Sequence, residues 1–362
     1  MSGIAVSGEP KRDREERSHR GGGSWWGRAR AWAAGLAVLA GVAVPVGVAT
    51  PAMAQTRVLA YITNFHGDTL SVGDVATLLV IDTIHVGHHP KGVAISPDGS
   101  HVYVANSGSD DVSVINTRND QVVATIPIGR HSRPDGVAVS PDGSRVYVTD
   151  AGTNRVSVID AFRNRVVRNI CVGSHPTGVA VTPDGSSVYV ADTGSNKVSV
   201  IDAFRNRVFR NIRVGSRPQG VAVDPNKSRI YVTNTGSNSV SVINADRNKV
   251  VRTIGGRHRR DFSRPEGVVV TNTPNGPRAF VTNAGSDSVS VIDTGNNKVI
   301  DMIGVGRVPR GVAASPDGTH LCVTNFRSND ISVVDTGSDT VTATVPGFNG
   351  PLGVAIGDIP DA

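Results

Sequence analysis

The sequence predicts an all-β fold, a seven-bladed β-propeller of four-stranded antiparallel blades closed by a C-terminal strand A pairing with N-terminal strands B to D. Three observations carry this. A Y-V-T-N-like tetrapeptide occurs seven times, starting at 61, 103, 147, 189, 231, 280 and 322. A second marker, P-x-G-V, also occurs seven times, beginning at Pro90, Pro134, Pro176, Pro218, Pro265, Pro309 and Pro351. The two ends are complementary: the repeat region opens on "RVLAYITN" and its last recognisable element is "PLGVAIG". A repeat of about 42 residues that cannot bury its own apolar faces must stack on copies of itself.

Residues 1–54 differ in composition from the rest and read as a signal peptide, with residues 55–362 as the propeller. A run with Lys11, Arg12, Arg14, Arg17, Arg20, Arg28 and Arg30 precedes an apolar stretch ending in Ala52-Met53-Ala54, the layout of an export signal. The alternative is a retained anchor, since the apolar run approaches the roughly 20 residues that span a bilayer; cleavage after Ala54 leaves no stable transmembrane anchor. The expected location is extracytoplasmic, secreted or at the cell surface. The leader holds 7 of the 37 basic and 4 of the 31 acidic residues, leaving 30 and 27 and a net charge of +3. That modest balance, with export, argues against a nucleic-acid partner. Cys171 and Cys322 lie at different positions of distant repeats and read as unpaired thiols.

Within a unit, strand A is "GVAV", followed by the turn S-P-D-G, in which Pro sets the second position and Gly relieves the fourth. Strand B is "RVYVTN" and strand C "VSVID", separated by a loop such as "AGTN". Strand D, "RVVRNI" or "KVVRTI", is entered through a turn of the Asp-x-x-x-Asn kind, as in "DAFRN". Strand A has the smallest side chains and belongs at the crowded axis. Strand D, with Arg165, Arg168, Arg207 and Arg210, belongs on the rim. The terminal fragments complete one blade, which removes an open edge from the circle.

With these motifs in place, the chain resembles the YVTN family of β-propeller repeat proteins over residues 57 to 357. The resemblance implies an exported binding or scaffold module. More distant seven-bladed relatives, among them lactonases, a streptogramin lyase and haem-carrying domains of nitrite reductases, imply that the architecture also hosts enzymes.

Function is expected where the repeats disagree. Four strands per blade put the A–B and C–D turns on one face and the B–C and D–A loops on the other. Asp98, Asp142, Asp184 and Asp317 on the first face read as turn residues rather than metal ligands. On the second face the residue before each repeat proline is His89, Arg133, His175, Arg217, Arg264, Val308 and Gly350 in turn. Basic groups around one mouth of the channel would attract anions; the bland reading is that exposed loops tolerate Arg and His.

The loop "GGRHRRDFSRPEG" adds five residues and brings Arg257, Arg259, Arg260, Phe262 and Arg264 to this face, an aromatic among cations. At the closure, Phe65-His66 and Phe326-Arg327 replace the usual B–C loop residues, and Phe348 lies in the final D–A loop. They form either a ligand patch or a clasp for the seam.

Two functions follow as expectations. The first is a non-enzymatic exported propeller recognising an anionic envelope polymer or a protein partner through the basic D–A face, with no cofactor and no metal. The second is a lyase- or lactonase-like enzyme with substrate at the axial mouth and His89, His131 or His175 as general base. Asp135 and Glu266, in the variable slot of P-x-G, lie near the same mouth.

Overall fold

The computed structural model describes residues 56–225, 229–256 and 261–360. The leader, including all of the predicted signal peptide, lies outside the described residues. The described chain is built from 28 strands in seven four-stranded antiparallel sheets.

Blade 1 is the composite one. Its strand A, Pro351–Pro360, pairs with strand B, Thr56–Asn64, which continues to strand C, Thr69–Asp74, and strand D, Leu79–His85. The register runs from Thr56 opposite Pro360 to Asn64 opposite Pro351, so the two ends close the ring as the complementary fragments predict. Blades 2 to 7 follow at 90–127, 134–171, 176–213, 218–255, 265–304 and 309–346, each in the order A-B-C-D.

Neighbouring A strands touch one another all the way round, which places them at the axis. This crowding explains the P-x-G motif. A Cβ on Gly92, Gly136, Gly178, Gly220, Gly267, Gly311 or Gly353 would collide with the carbonyl oxygen of the slot residue in the next blade. Only glycine lets one backbone lie so close to another. Each repeat proline is also followed by a register shift, as between Pro134 and Val137, which takes the slot residue and glycine out of the ladder.

Threonine of Y-V-T-N fills that gap. Thr149 Oγ1 accepts from the Gly136 amide at 2.8 Å and donates to the Thr177 carbonyl of the next blade at 2.6 Å. Thr63, Thr233, Thr282 and Thr324 make the same inter-blade bond; blades 2 and 4 carry Ala105 and Ala191 instead. The following Asn is buried and donates to a serine of strand C, as Asn106 does to Ser113 at 2.9 Å. In blades 3 and 4 the Asn is Asp150 or Asp192, and the serine donates instead.

The apolar core is seven layers rather than one. Each sits between adjacent sheets, such as Tyr103, Val112 and Val114 of blade 2 against Val146 and Val148 of blade 3. The D strands on the rim are largely exposed apart from one buried Ile, Ile170 in blade 3 and Ile212 in blade 4, and Arg165, Arg168, Arg207 and Arg210 are exposed. Cys171 is exposed, Cys322 is buried between blades 7 and 1, and both are free thiols.

Candidate functional site

The mouth on the D–A face is framed by seven copies of one junction. The residue before each repeat proline has a left-handed backbone, with φ from 47° at Arg133 to 65° at Gly350. Each is pinned at both ends. The Arg217 amide donates to Asn196 Oδ1 of blade 4 at 2.8 Å, and the Arg217 carbonyl accepts from the Thr235 amide of blade 5 at 3.0 Å. Asp68, Asp110, Asn154, Asn238, Asp287 and Asn329 play the Asn196 role elsewhere. These seven Asx residues are themselves left-handed, which Asn and Asp tolerate best.

The exposed side chains of His89, Arg133, His175, Arg217 and Arg264 therefore project from rigid points that tie two blades together. The αL backbone of each is a strained state for a non-glycine residue.

Inside this outer ring lies a second ring, formed by the slot residues. It opens into a cavity of about 350 Å³ lined by Lys91, Asp135, His175, Arg217, Glu266 and Arg310 among others. Two ion pairs join neighbouring blades: Lys91 Nζ to Asp135 Oδ2 at 2.6 Å, and Arg310 to Glu266 Oε2 at 2.5 Å. Arg264 lies 3.7 Å from the other Glu266 oxygen. Glu266 is 6% exposed. Burial pushes its carboxyl above the ordinary range and Asp135 adds to this, against the opposing pull of Arg310 and Arg264.

The sides of the mouth differ. Thr177 and Gln219 make one side polar, while Leu352 faces them from the seam. Around the seam the Phe65 ring stacks on His89 at 4.8 Å, and Phe326 packs on Phe65 and His66 at 6.2 and 5.3 Å. The Arg310 guanidinium sits over Phe326 at 5.3 Å. Of the residues singled out at the closure, Phe65, His66 and Phe326 thus do meet, and they recruit His89 and Arg310. Below them Phe348 is buried with Cys322, Ile331 and Val333.

Comparison with known proteins finds a partial family match and several likenesses of fold. The family described as "Lactonase, 7-bladed beta-propeller" matches residues 171–348. No curated protein matches the chain. Among solved structures, Kuenenia stuttgartiensis hydrazine synthase is similar at 23% identity, with 75% of this chain and 96% of that chain covered and a TM-score of 0.64. A functionally unknown protein from Desulfotomaculum acetoxidans is similar at 19%, covering 84% and 99%, with a TM-score of 0.72. Virginiamycin B lyase from Staphylococcus aureus is similar at 14%, covering 85% and 97%, with a TM-score of 0.64. At these identities the likeness is one of fold.

Two expectations change. Phe262 is not an aromatic among cations at the surface: it is 3% exposed, inside the layer formed by Val240, Ile254 and Val281. Its sequence neighbours are charged, but the inserted loop folds its one large apolar group inward. Arg257, Arg259 and Arg260 lie outside the described residues. The three candidate histidines also separate. His175 lines the axial cavity, His89 belongs to the seam cluster, and His131 is exposed on the D–A loop and is not among the cavity's lining residues. Arg327 is exposed.

Chemically, the mouth offers fixed cations around a small cavity and one buried carboxylate. The SPDG carboxylates on the other face serve their turns: the Ser140 hydroxyl and the Ser144 amide and hydroxyl donate to Asp142, holding it below the usual carboxylate range. The slot ion pairs were readable in principle, because slot residues one repeat apart must be neighbours on a closed ring.

Proposed function

We propose that this chain is an exported, non-enzymatic propeller that recognises an anionic partner, an envelope polymer or an acidic protein surface, at the D–A mouth. The supporting observation is the contrast between the two rings. The inner cations Lys91 and Arg310 are neutralised by Asp135 and Glu266, whereas Arg133 and Arg217 make no ion pair among the described residues and are held outward on pinned backbone. Such groups focus positive potential over a concave surface and remain free to pair with a partner. The YVTN-like repeats, with the export leader, support the same reading.

Polyphosphate and poly-glutamate serve as probes. Replacing Arg133, Arg217 and Arg264 together by Gln weakens binding at least tenfold and flattens its dependence on ionic strength. Unchanged affinity in the triple variant would remove this face from consideration.

A second reading, favoured by the lactonase match over residues 171–348, is hydrolysis or elimination at the cavity floor. His175, Arg217, Glu266 and Arg310 are then the relevant lining groups. Turnover of a simple aldonolactone that is abolished in both His175→Gln and Glu266→Gln supports it; absence of turnover in the parent protein rejects it.

A further inference from the structure

Two of the seven C–D turns carry an aromatic at the apex. They belong to adjacent blades: Asp160-Ala161-Phe162-Arg163-Asn164 in blade 3 and Asp202-Ala203-Phe204-Arg205-Asn206 in blade 4. Phe162 is 81% exposed and Phe204 76%. Neither turn is slack. Asp160 Oδ1 accepts from the amides of Phe162 and Arg163 at 3.1 and 3.0 Å, and Asp202 repeats the arrangement at 3.1 and 2.9 Å. Each carboxylate also holds the arginine of its turn, at 2.8 and 2.7 Å.

A Phe side chain left in water forgoes the favourable free energy of burying its ring. Two such groups, on the rigid turns of adjacent blades, stay mostly exposed.

Strand D of each blade continues the pattern. Arg165–Cys171 and Arg207–Arg213 lie next to each other on the rim and expose Val167 and Phe209 between arginines. Arg165, Arg168, Arg207, Arg210 and Arg213 make no ion pair among the described residues. The carboxylates of these turns, Asp160 and Asp202, are already matched. Asp142 and Asp184 line a groove with Phe204, and their charge leaves the five arginines in excess. The same edge elsewhere lacks this combination: the other five C–D turns have no aromatic, and strand D carries Asp82 in blade 1 and Asp301 in blade 6.

We propose that the edge formed by blades 3 and 4 docks on an anionic lipid bilayer. Phe162 and Phe204 enter the interfacial region while the strand-D arginines meet lipid phosphates, since an anionic leaflet attracts basic groups held near its surface. A soluble polyanion would satisfy the arginines but would give the phenyl rings no apolar medium. The C–D turns lie on the face opposite the D–A mouth, so a docked propeller keeps its mouth turned from the membrane and open to a partner.

Residues 55–362 are used for the test, because the described ring closes on its own strands and the leader's apolar run would bind vesicles by itself. All three tryptophans lie in the leader, at Trp25, Trp26 and Trp32, so Phe162→Trp installs a single reporter. With vesicles of mixed phosphatidylglycerol and phosphatidylcholine, the propeller co-floats and the reporter emission shifts to the blue; phosphatidylcholine alone produces neither. Phe162→Ser with Phe204→Ser lowers affinity at least tenfold at unchanged melting temperature, and Arg165→Gln with Arg207→Gln lowers it similarly. Failure to bind the anionic vesicles overturns the proposal. So does binding that the double Ser variant retains undiminished, or an unshifted emission from the bound Phe162→Trp protein, either of which would identify simple attraction to polyanions.

Discussion

The amide of Arg217 lies 2.8 Å from Oδ1 of Asn196, and both residues hold left-handed backbone, with φ of 51° and 54°. The bond fastens the loop leaving blade 4 to that blade's own B–C loop. It recurs at every junction, the composite one included, where Gly350 donates to Asn329 at 2.9 Å. Glycine is the cheapest residue there, yet the junction uses it once and basic residues five times.

Val308 is the revealing exception, since it is β-branched at φ 57° and brings no charge. Left-handed backbone costs an L-residue roughly 1–2 kcal/mol, and glycine returns about 0.5–1 kcal/mol of that through its freer unfolded chain. Val308→Gly is therefore expected to leave stability unchanged or raise it by up to about 1 kcal/mol. Urea unfolding measures this; a clear loss would mean that the Val308 side chain contributes more through packing than its backbone costs.

Arg217→Gly should separate stability from binding. The same backbone relief applies, while the cation at the mouth disappears. The expected outcome is an equal or higher unfolding midpoint together with several-fold weaker binding of polyphosphate. A drop in both would make Arg217 a structural residue whose charge is incidental.

Asp150 and Asp192 set a pH dependence. Burial raises the Asp150 carboxyl to about 7 and that of Asp192 to about 6, from an unfolded value of 3.8. The native state thus holds these protons after the unfolded chain has released them. Their contribution is fully present below pH 3.8 and is lost as pH rises to about 7 for Asp150 and about 6 for Asp192, on the order of 4 and 3 kcal/mol respectively. Asp150→Asn with Asp192→Asn restores the residue found in the other five blades and lets Ser157 donate to Asn169, 2.8 Å away. Melting temperatures at pH 4.5 and 8 should converge in the double variant, with the gain at pH 8. A parent protein equally stable at both values would exclude buried neutral carboxyls.

The strands, the blade count and the closure were legible because they rest on local pattern repeated seven times. Tyr61, Tyr147, Tyr189 and Tyr231 mark the buried centre of four B strands, and Pro351–Pro360 supplies the missing strand A. The basic residues of the mouth were legible as a list. Their backbone state was not: a lone Asn196 in "TGSN" reads as a loop residue until its partner 21 residues away is known. Phe262 misled because sequence neighbours predict a side chain's chemistry better than its direction. The Phe162 and Phe204 turns were seen only as the entrance to strand D, since nothing in the pattern of repeats distinguishes an exposed apex from a packed one.

Threonine of Y-V-T-N offers a test of how the axis is held. Thr233 Oγ1 accepts from the Gly220 amide at 2.8 Å and donates to the Glu266 carbonyl at 2.6 Å, so one hydroxyl joins blade 5 to the slot residue of blade 6. Thr233→Val keeps the shape but leaves a buried amide and a carbonyl without their partner, a loss of about 1–3 kcal/mol. Ala105→Thr is the converse, since it installs the missing hydroxyl in blade 2, where the geometry of five other blades already accommodates it; a gain of about 1 kcal/mol is expected. The two changes also differ at the mouth. Thr233→Val releases the backbone that carries Glu266, so the Arg310–Glu266 pair loosens and ligand affinity falls with stability. Ala105→Thr bonds the Asp135 carbonyl and stiffens the Lys91–Asp135 side. Opposite shifts in unfolding midpoint, with binding following Thr233→Val downward, would identify this hydroxyl as the link between ring closure and the geometry of the mouth. Equal midpoints would assign cohesion of the ring to the apolar layers alone.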